Sequence, residues 1–200
     1  MSIAIKKSAA ALVVLAFTLA CASLSARASD KSDAAALVDK SRLTIQEFSQ
    51  NKDFVSLKSA LGQAKAVLIF PQVLKAGFVL GGSGGSGVLL VRDASSNQWA
   101  GPAFYTMGSA SLGLQAGASS AEMVMLVNSQ KALDSLFTNK IKLGGDASVA
   151  LGPKGVGTGA SVTADFVVYS KVKGAFAGVA VDGSLLDVRD SLNAAYYGKP

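Results

Sequence analysis

The stretch Gly77-Phe-Val-Leu-Gly-Gly-Ser-Gly-Gly-Ser-Gly-Val-Leu-Leu-Val-Arg-Asp93 restricts the fold more than any other part of the chain. It sets Gly82-x-Gly84-x-x-Gly87 straight after an apolar run, the spelling of a dinucleotide-binding loop. Such a loop works only where it feeds a helix whose N-terminal amides receive a pyrophosphate. Here Gly87 is followed by Val-Leu-Leu-Val, which prefers a strand, and no Gly-Lys-Ser/Thr ending offers a lysine to a phosphate. The expectation is β structure: strands at Gly77 to Leu80 and Val88 to Val91, joined by Gly81 to Gly87 as a hairpin connection. No nucleotide partner is expected.

Periodicity divides the chain at Ala66. Before it, Ala34, Leu37, Val38, Ser41, Ile45 and Phe48 share one side of a 3.6-residue wheel, which predicts an amphipathic helix from Ser32 to Ser49 capped by Ser32 or Asp33. A shorter helix is predicted from Asp53, with Phe54, Leu57, Ala60, Leu61 and Ala64 on its face. After Ala66 the pattern is mainly period two. Gly108 to Ser119 alternates as one strand, with Ala110, Leu112, Leu114 and Ala116 facing a core and Ser109, Ser111, Gly113, Gln115 and Gly117 facing away. Met123 to Val127 reads as a buried strand, followed by a helix through Ala132, Leu133, Leu136 and Phe137 capped by Asn128 or Ser129. Further strands are predicted at Asp146 to Leu151, Ser161 to Tyr169 and Ala175 to Val181. Asp182-Gly183 reads as a type I′ hairpin turn, and a short final helix stops at Gly198. Lys75 to Asp93 and Lys173 to Asp190 look alike, as equivalent hairpins of a pseudo-repeated sheet would.

The N-terminus is set aside from this fold. Lys6-Lys7, an apolar run from Ala9 to Ala20 and the small-residue segment ending Ala26-Arg27-Ala28 have the build of a secretory signal peptide covering residues 1–28. Cleavage after Ala28 leaves residues 29–200 as one exported domain in the periplasm or cell envelope, without cysteine and therefore without disulfide or thiol chemistry. Lipidation at Cys21 is the competing expectation, and it would tether the domain to a membrane. Losing Lys6, Lys7 and Arg27 takes the formal charge from +6 to +3, which removes most of the support for a nucleic-acid partner.

The chain contains no histidine, which excludes Ser-His-Asp and Cys-His catalysis and the commonest ligand of transition metals. Asp93, Glu122, Asp134, Asp146, Asp165, Asp182, Asp187 and Asp190 show no spacing that singles out a catalytic pair, so no enzyme, metal or cofactor is expected, with a hydrolase relying on Asp146 as the third-ranked function. Lysines carry more information. Lys140 and Lys142, and Lys171 and Lys173, stand two apart, and residues two apart on an extended chain point the same way. With Lys75 and Lys154 in neighbouring turns they suit an anionic phospholipid headgroup, with Phe70, Phe176 or Tyr169 as apolar neighbours.

One resemblance covers the chain from about Ser32 to Gly198. Ala66-Val-Leu-Ile-Phe-Pro71, Lys75-Ala-Gly-Phe78, Gly87-Val-Leu-Leu-Val-Arg-Asp93, Trp99 with Pro102-Ala-Phe104, Gly113-Leu-Gln-Ala-Gly117, Leu143-Gly-Gly-Asp-Ala-Ser-Val-Ala-Leu-Gly-Pro153, Tyr169-Ser-Lys-Val-Lys-Gly-Ala-Phe-Ala-Gly178 and Asn193-Ala-Ala-Tyr-Tyr-Gly198 resemble the successive blocks of the SYLF domain. The resemblance implies phospholipid or phosphoinositide binding, and contact with actin in yeast relatives. The resulting expectation is an α+β domain, a largely antiparallel, glycine-rich or barrel-like sheet covered by a few helices. It would bind membrane phospholipid without catalysis through Lys75, Lys140, Lys142, Lys154, Lys171, Lys173 and Phe176. The alternative is a structural envelope protein that holds a protein partner on its small-residue face at residues 109–117.

Overall fold

The computed structural model describes residues 30–78, 80–112, 117–138, 140–152, 164–174 and 181–199. The expected signal peptide with Cys21, and the candidate residues Lys154 and Phe176, lie outside the described residues. The chain opens with helix α1 (30–50), a short 3-10 turn at Lys52–Phe54 and α2 (Leu57–Gln63). Strands β1 (Ala66–Gly77), β2 (Leu80–Arg92) and β3 (Trp99–Leu112) follow as a meander, and β4 (Gly117–Val127) returns to pair with β1 on its other side. Then come α3 (Gln130–Thr138), β5 (Ile141–Lys142), β6 (Val149–Leu151), β7 (Phe166–Gly174), β8 (Leu185–Val188) and α4 (Asp190–Tyr197).

All eight strands form one sheet in the order β5-β8-β3-β2-β1-β4-β7-β6, antiparallel throughout except at β6 and β7. The sheet curls around its inner face. There Leu68, Phe70, Leu89, Met107, Met123, Met125 and Phe166 pack with α3 residues Leu133 and Leu136 in one apolar cluster. The outer face carries α1 across the strands. Ala34, Leu37 and Val38 pack with Val88, Phe104 and Leu192 of α4, while Ile45 and Phe48 pack with Val67, Ile69, Val124 and Tyr169. Phe48 stacks on Phe54 at 4.8 Å between centroids, and Phe54 meets the edge of Tyr169 at 5.8 Å. These rings fix the α1–α2 corner to the sheet by the large buried area that aromatic side chains bring. The expected α+β architecture, with a largely antiparallel, barrel-like sheet, is what the chain adopts.

Polar side chains anchor the other helix ends. The Arg92 guanidinium donates to the carbonyls of Leu61 and Ala64 at the end of α2 and to Asn97 Oδ1 at 2.7 Å, and it lies 4.4 Å over the Trp99 ring. Asn193 accepts from Phe104 N–H at 2.9 Å and donates to Phe104 C=O at 3.2 Å, so α4 is stitched to β3 where β8 ends. Ser129 Oγ accepts from Ala132 N–H at 3.1 Å and caps α3, one of the two caps expected there. Helix α1 is already formed at residue 30, so Ser32 and Asp33 lie inside its first turn.

Four local expectations are corrected. Gly81 to Gly87 is the interior of β2, and the chain reverses between Gly77 and Leu80. The reason is close approach: β1 bulges at Pro71, and a Cβ on Gly87 would come within 2.6 Å of the Phe70 ring. Gly108 to Ser119 is the end of β3 and the start of β4, two strands that do not pair, since β2 and β1 lie between them in the sheet. The faces are reversed from the expectation, because Ala110 is exposed on the outer face while Ser109 Oγ pairs with Ser83 Oγ at 2.7 Å on the inner one. Lys173 and the residues before Asp190 are not on paired strands, since β7 and β8 sit on opposite sides of the four central strands; the expected strand from Ala175 to Val181 lies, as far as residue 180, outside the described residues. At Asp182-Gly183, Ser184 N–H does bond Val181 C=O at 3.0 Å, but only Gly183 has positive φ, at 80°, so the turn is not type I′.

Candidate functional site

Strand register builds the site. Residues directly opposite on neighbouring strands point to the same face, so the pairing can be followed across the outer surface row by row. Beside the helices runs a polar row: Asp187, Thr106, Ser86 and Gln72 in succession, then Glu122 opposite Lys171. Its charges are matched. Lys140 Nζ lies 2.8 Å from Asp187, Lys171 bonds Glu47 of α1 and lies 3.8 Å from Glu122, and Arg189 donates to Ser86 Oγ. The Lys171 bond holds the Glu47 carboxyl below the usual carboxylate range and raises Lys171, and Asp187 raises Lys140 in the same way.

The next row away from the helices is different. Lys142, Leu185, Gly108, Gly84, Leu74, Ser120 and Lys173 stand opposite one another across seven strands. At about 4.8 Å per strand the row is about 29 Å long, with a lysine at each end. Both lysines are exposed, and neither enters an ion pair with a described residue. Leu74 and Leu185 between them are 55% and 47% exposed. Nothing in the described structure lies over the middle of the row. A Cβ on Gly84 or Gly108 would meet only strand carbonyls, at 3.5 and 3.9 Å. A further row, Ala110, Gly82, Ala76 and Ala118, continues the smooth surface toward the β1–β2 turn.

At the Lys142 end, Thr106, Gly108, Ala110, Lys140, Lys142 and Leu185 line an open groove of about 560 Å³. Lys140 and Lys142 are therefore brought together, as are Lys171 and Lys173 on the outer side of β7, but the two pairs occupy opposite ends of the row. Lys75 projects from the inner face, in the register of Ser83 and Ser119. Phe70 and Tyr169, expected as apolar neighbours of the lysines, are 0% and 1% exposed core residues. The apolar side chains that do reach solvent near the site are Leu74, Leu185, Phe78 and Leu80, the last two 71% and 72% exposed at the β1–β2 turn. Periodicity gave no sign of them, because apolar residues beside a glycine run read as core until the turn is located.

The carboxylates hold the fold together. Asp93 accepts from Ser95 and Ser96 in its turn, Asp146 accepts from Lys142 N–H at 2.8 Å, and Asp165 links Ser129 to Ser148. Among the described residues no three His, Cys, Asp or Glu side chains gather to hold a metal, and no helix is long and apolar enough to cross a membrane.

Residues 108–200 match the family described as Ysc84, Las17-binding protein actin regulator. An SH3 domain-containing protein of Schizosaccharomyces pombe is 38% identical over 70% of this chain and 34% of its own length. Protein YSC84 of Saccharomyces cerevisiae is 37% identical over 69% of this chain and 31% of its length. The SH3 domain-containing YSC84-like protein 1 of Bos taurus is 30% identical over 68% and 41%. The chain thus spans about a third of the length of the first two relatives. None of these names is that of an enzyme. No solved structure matches the chain.

Proposed function

The chain belongs to the SYLF family, the Ysc84 domain of Las17-binding actin regulators, and from that premise we propose that it binds anionic phospholipid without catalysis, laying the uncovered outer sheet face on the bilayer. The observation that carries this reading is the row from Lys142 to Lys173: two exposed lysines at the ends of a row about 29 Å long followed along the sheet, with glycine, serine and leucine between them and no described helix above. A smooth surface with cations at its margins lets lysines reach headgroup phosphates while the small-residue middle comes close to the membrane. Each lysine near an anionic leaflet contributes about 1 kcal/mol. The residues named for this role are Lys142 and Lys173; Lys140 is already engaged by Asp187, and Lys171 by two carboxylates. The signal-peptide build of residues 1–28 supports placement in the periplasm or envelope, where the lipid would be a bacterial anionic phospholipid.

Vesicle co-sedimentation tests the reading. The protein is expected to sediment with phosphatidylglycerol vesicles at low salt, to remain in the supernatant with phosphatidylcholine, and to be released as salt shortens the screening length. The double variant Lys142→Glu, Lys173→Glu should lower partitioning at least about 30-fold, from the loss of two contributions of about 1 kcal/mol. Equal recovery of the unaltered protein in the supernatant with both lipids at low salt overturns the proposal.

The second reading is a protein partner on the same face. It is favoured by the description of the family as Las17-binding actin regulators, and by the small-residue surface of Gly82, Gly84, Gly108 and Ala110. The expected face at residues 109–117 is relocated by the register: Ala110 lies on the open surface, Ser109 lies beneath, and 113–116 are outside the described residues. Pull-down from an envelope extract, with Ala110→Arg as the blocking change, distinguishes it from lipid binding if capture survives in detergent.

A further inference from the structure

Resting on the lipid-binding reading, we propose that the β1–β2 hairpin tip is the part of the domain that enters the bilayer, with Phe78 and Leu80 reaching the acyl region and Leu74 at the base of the insertion. Three observations lead there. Phe78 and Leu80 are 71% and 72% exposed, and Leu74, on the same hairpin, is 55% exposed. The hairpin also projects. From Gln72, in the row beside the helices, to Gly77 is about 17 Å of strand, so the tip stands clear of the helical layer. Its backbone suits an apolar medium, because Gly77 pairs with Gly81 and Phe78 N–H donates to Leu80 C=O at 3.2 Å, satisfying inside the turn a donor that water would otherwise have to meet.

Charge decides between a bilayer and other apolar partners. The four central strands of the sheet carry no carboxylate from Ala66 to Arg92 or from Trp99 to Ala121. The cations nearest the tip along the strands are Lys75, three residues before Phe78 on β1 itself, and Lys173, opposite Ser120 and two strands beyond Leu74. Apolar side chains at a projecting turn, with ammonium groups three and four strand positions behind and no negative charge on these strands to be buried or repelled, match an anionic leaflet: acyl chains first, phosphates about 10 Å above. Phe176, the residue expected to insert, lies outside the described residues.

A tryptophan at the tip tests the proposal in a Trp99→Phe background, since Trp99 is the only tryptophan in the chain and stands at the opposite end of the sheet, opposite Arg92. With phosphatidylglycerol vesicles the Phe78→Trp protein is expected to shift its emission to the blue and to be quenched by lipids brominated along their acyl chains. Trp99 in the unaltered protein should do neither. The double variant Phe78→Ser, Leu80→Ser, surface changes expected to leave the thermal melt in place, should sediment with vesicles at least about tenfold less well.

If vesicles capture the tryptophan protein while its emission stays unshifted and unquenched, or capture the serine variant as well as the unaltered chain, the tip does not insert and lipid binding through the lysine row stands without it. If the unaltered protein is not captured at all, the lipid reading fails and this inference fails with it. A shift produced by envelope protein extract and not by vesicles assigns the tip to a protein partner and overturns the insertion.

Discussion

Asp165 shows how much one carboxylate can organise in a chain without disulfides in its described part. Oδ1 accepts from the Ser129 hydroxyl, whose oxygen caps α3, and Oδ2 accepts from Ser148 N–H and Oγ–H at 2.9 and 2.8 Å ahead of β6. The Ser129 bond first, and then the Ser148 amide, hold the Asp165 carboxyl below its ordinary value. A folded-state value depressed in this way adds stability above the unfolded value, near pH 4, and that stability is lost as pH falls through the folded value. Asp165→Asn should therefore melt below the unaltered protein near pH 7, by about 1–2 kcal/mol, and the gap should narrow between pH 5 and pH 3. Thermal melts across that range check it, and a gap independent of pH would mean that the charge is not what matters. The same scale separates two lysines that sequence treats alike. Lys171 and Lys173 share a face, as their spacing indicated, yet Lys171 faces Glu47 of α1, a partner 124 positions away that no local pattern reveals.

At the scale of the element, the glycines of β2 divide by face. Gly85 and Gly87 point inward, toward the bulge of β1, whereas Gly82 and Gly84 point outward to the open surface. Gly87→Ala should destabilise by about 1–3 kcal/mol, because its methyl group must displace the Phe70 ring or the Ile69 carbonyl. Gly84→Ala should be neutral or stabilising by up to about 1 kcal/mol, since its Cβ meets only ordinary contact with Met107 C=O at 3.5 Å and the unfolded chain loses freedom. Denaturant midpoints of the two variants check the contrast. That division also explains what could be read in advance. Helices α1 and α3 were legible from their apolar stripes, with the Ser129 cap, because helical periodicity and capping are local. The apolar runs of β1 and β4 were legible for the same reason. The length of β2 was not, since a strand of glycine and serine carries no period-two signal and its place is set by pairing with β1 and β3. Nor was the row from Lys142 to Lys173, which depends on six registers and on a bulge at Pro71 that shifts the face of everything beyond it. The lysine pairs could be seen in the sequence. Their separation to opposite ends of one surface could not.

For the whole molecule, the curl of the sheet and the placement of the helices create a polarity that no single element has. Helices α1, α2 and α4 cover the outer face from the Trp99 end as far as the polar row, and the sheet continues bare beyond it. In that polar row the two carboxylates, Asp187 and Glu122, are each held by a lysine, and the bare part presents positive charge from Lys142 and Lys173, whose ammonium groups enter no ion pair with a described residue. A body built this way should approach an anionic membrane in one orientation, with its strand ends down and its α2 corner in water. Environment-sensitive labels test that directly in a Cys21→Ser background, which removes the only cysteine in the chain. A label at Ala118→Cys, on the bare rows beside Ala76, should respond to anionic vesicles and be shielded from an aqueous quencher several-fold. Labels at Lys58→Cys on α2 and Lys131→Cys on α3, both exposed, should keep their solution response. Equal responses at all three positions would mean that the molecule binds without preferred orientation, and would leave attraction of net charge, rather than the shape of the sheet, as the basis of membrane association.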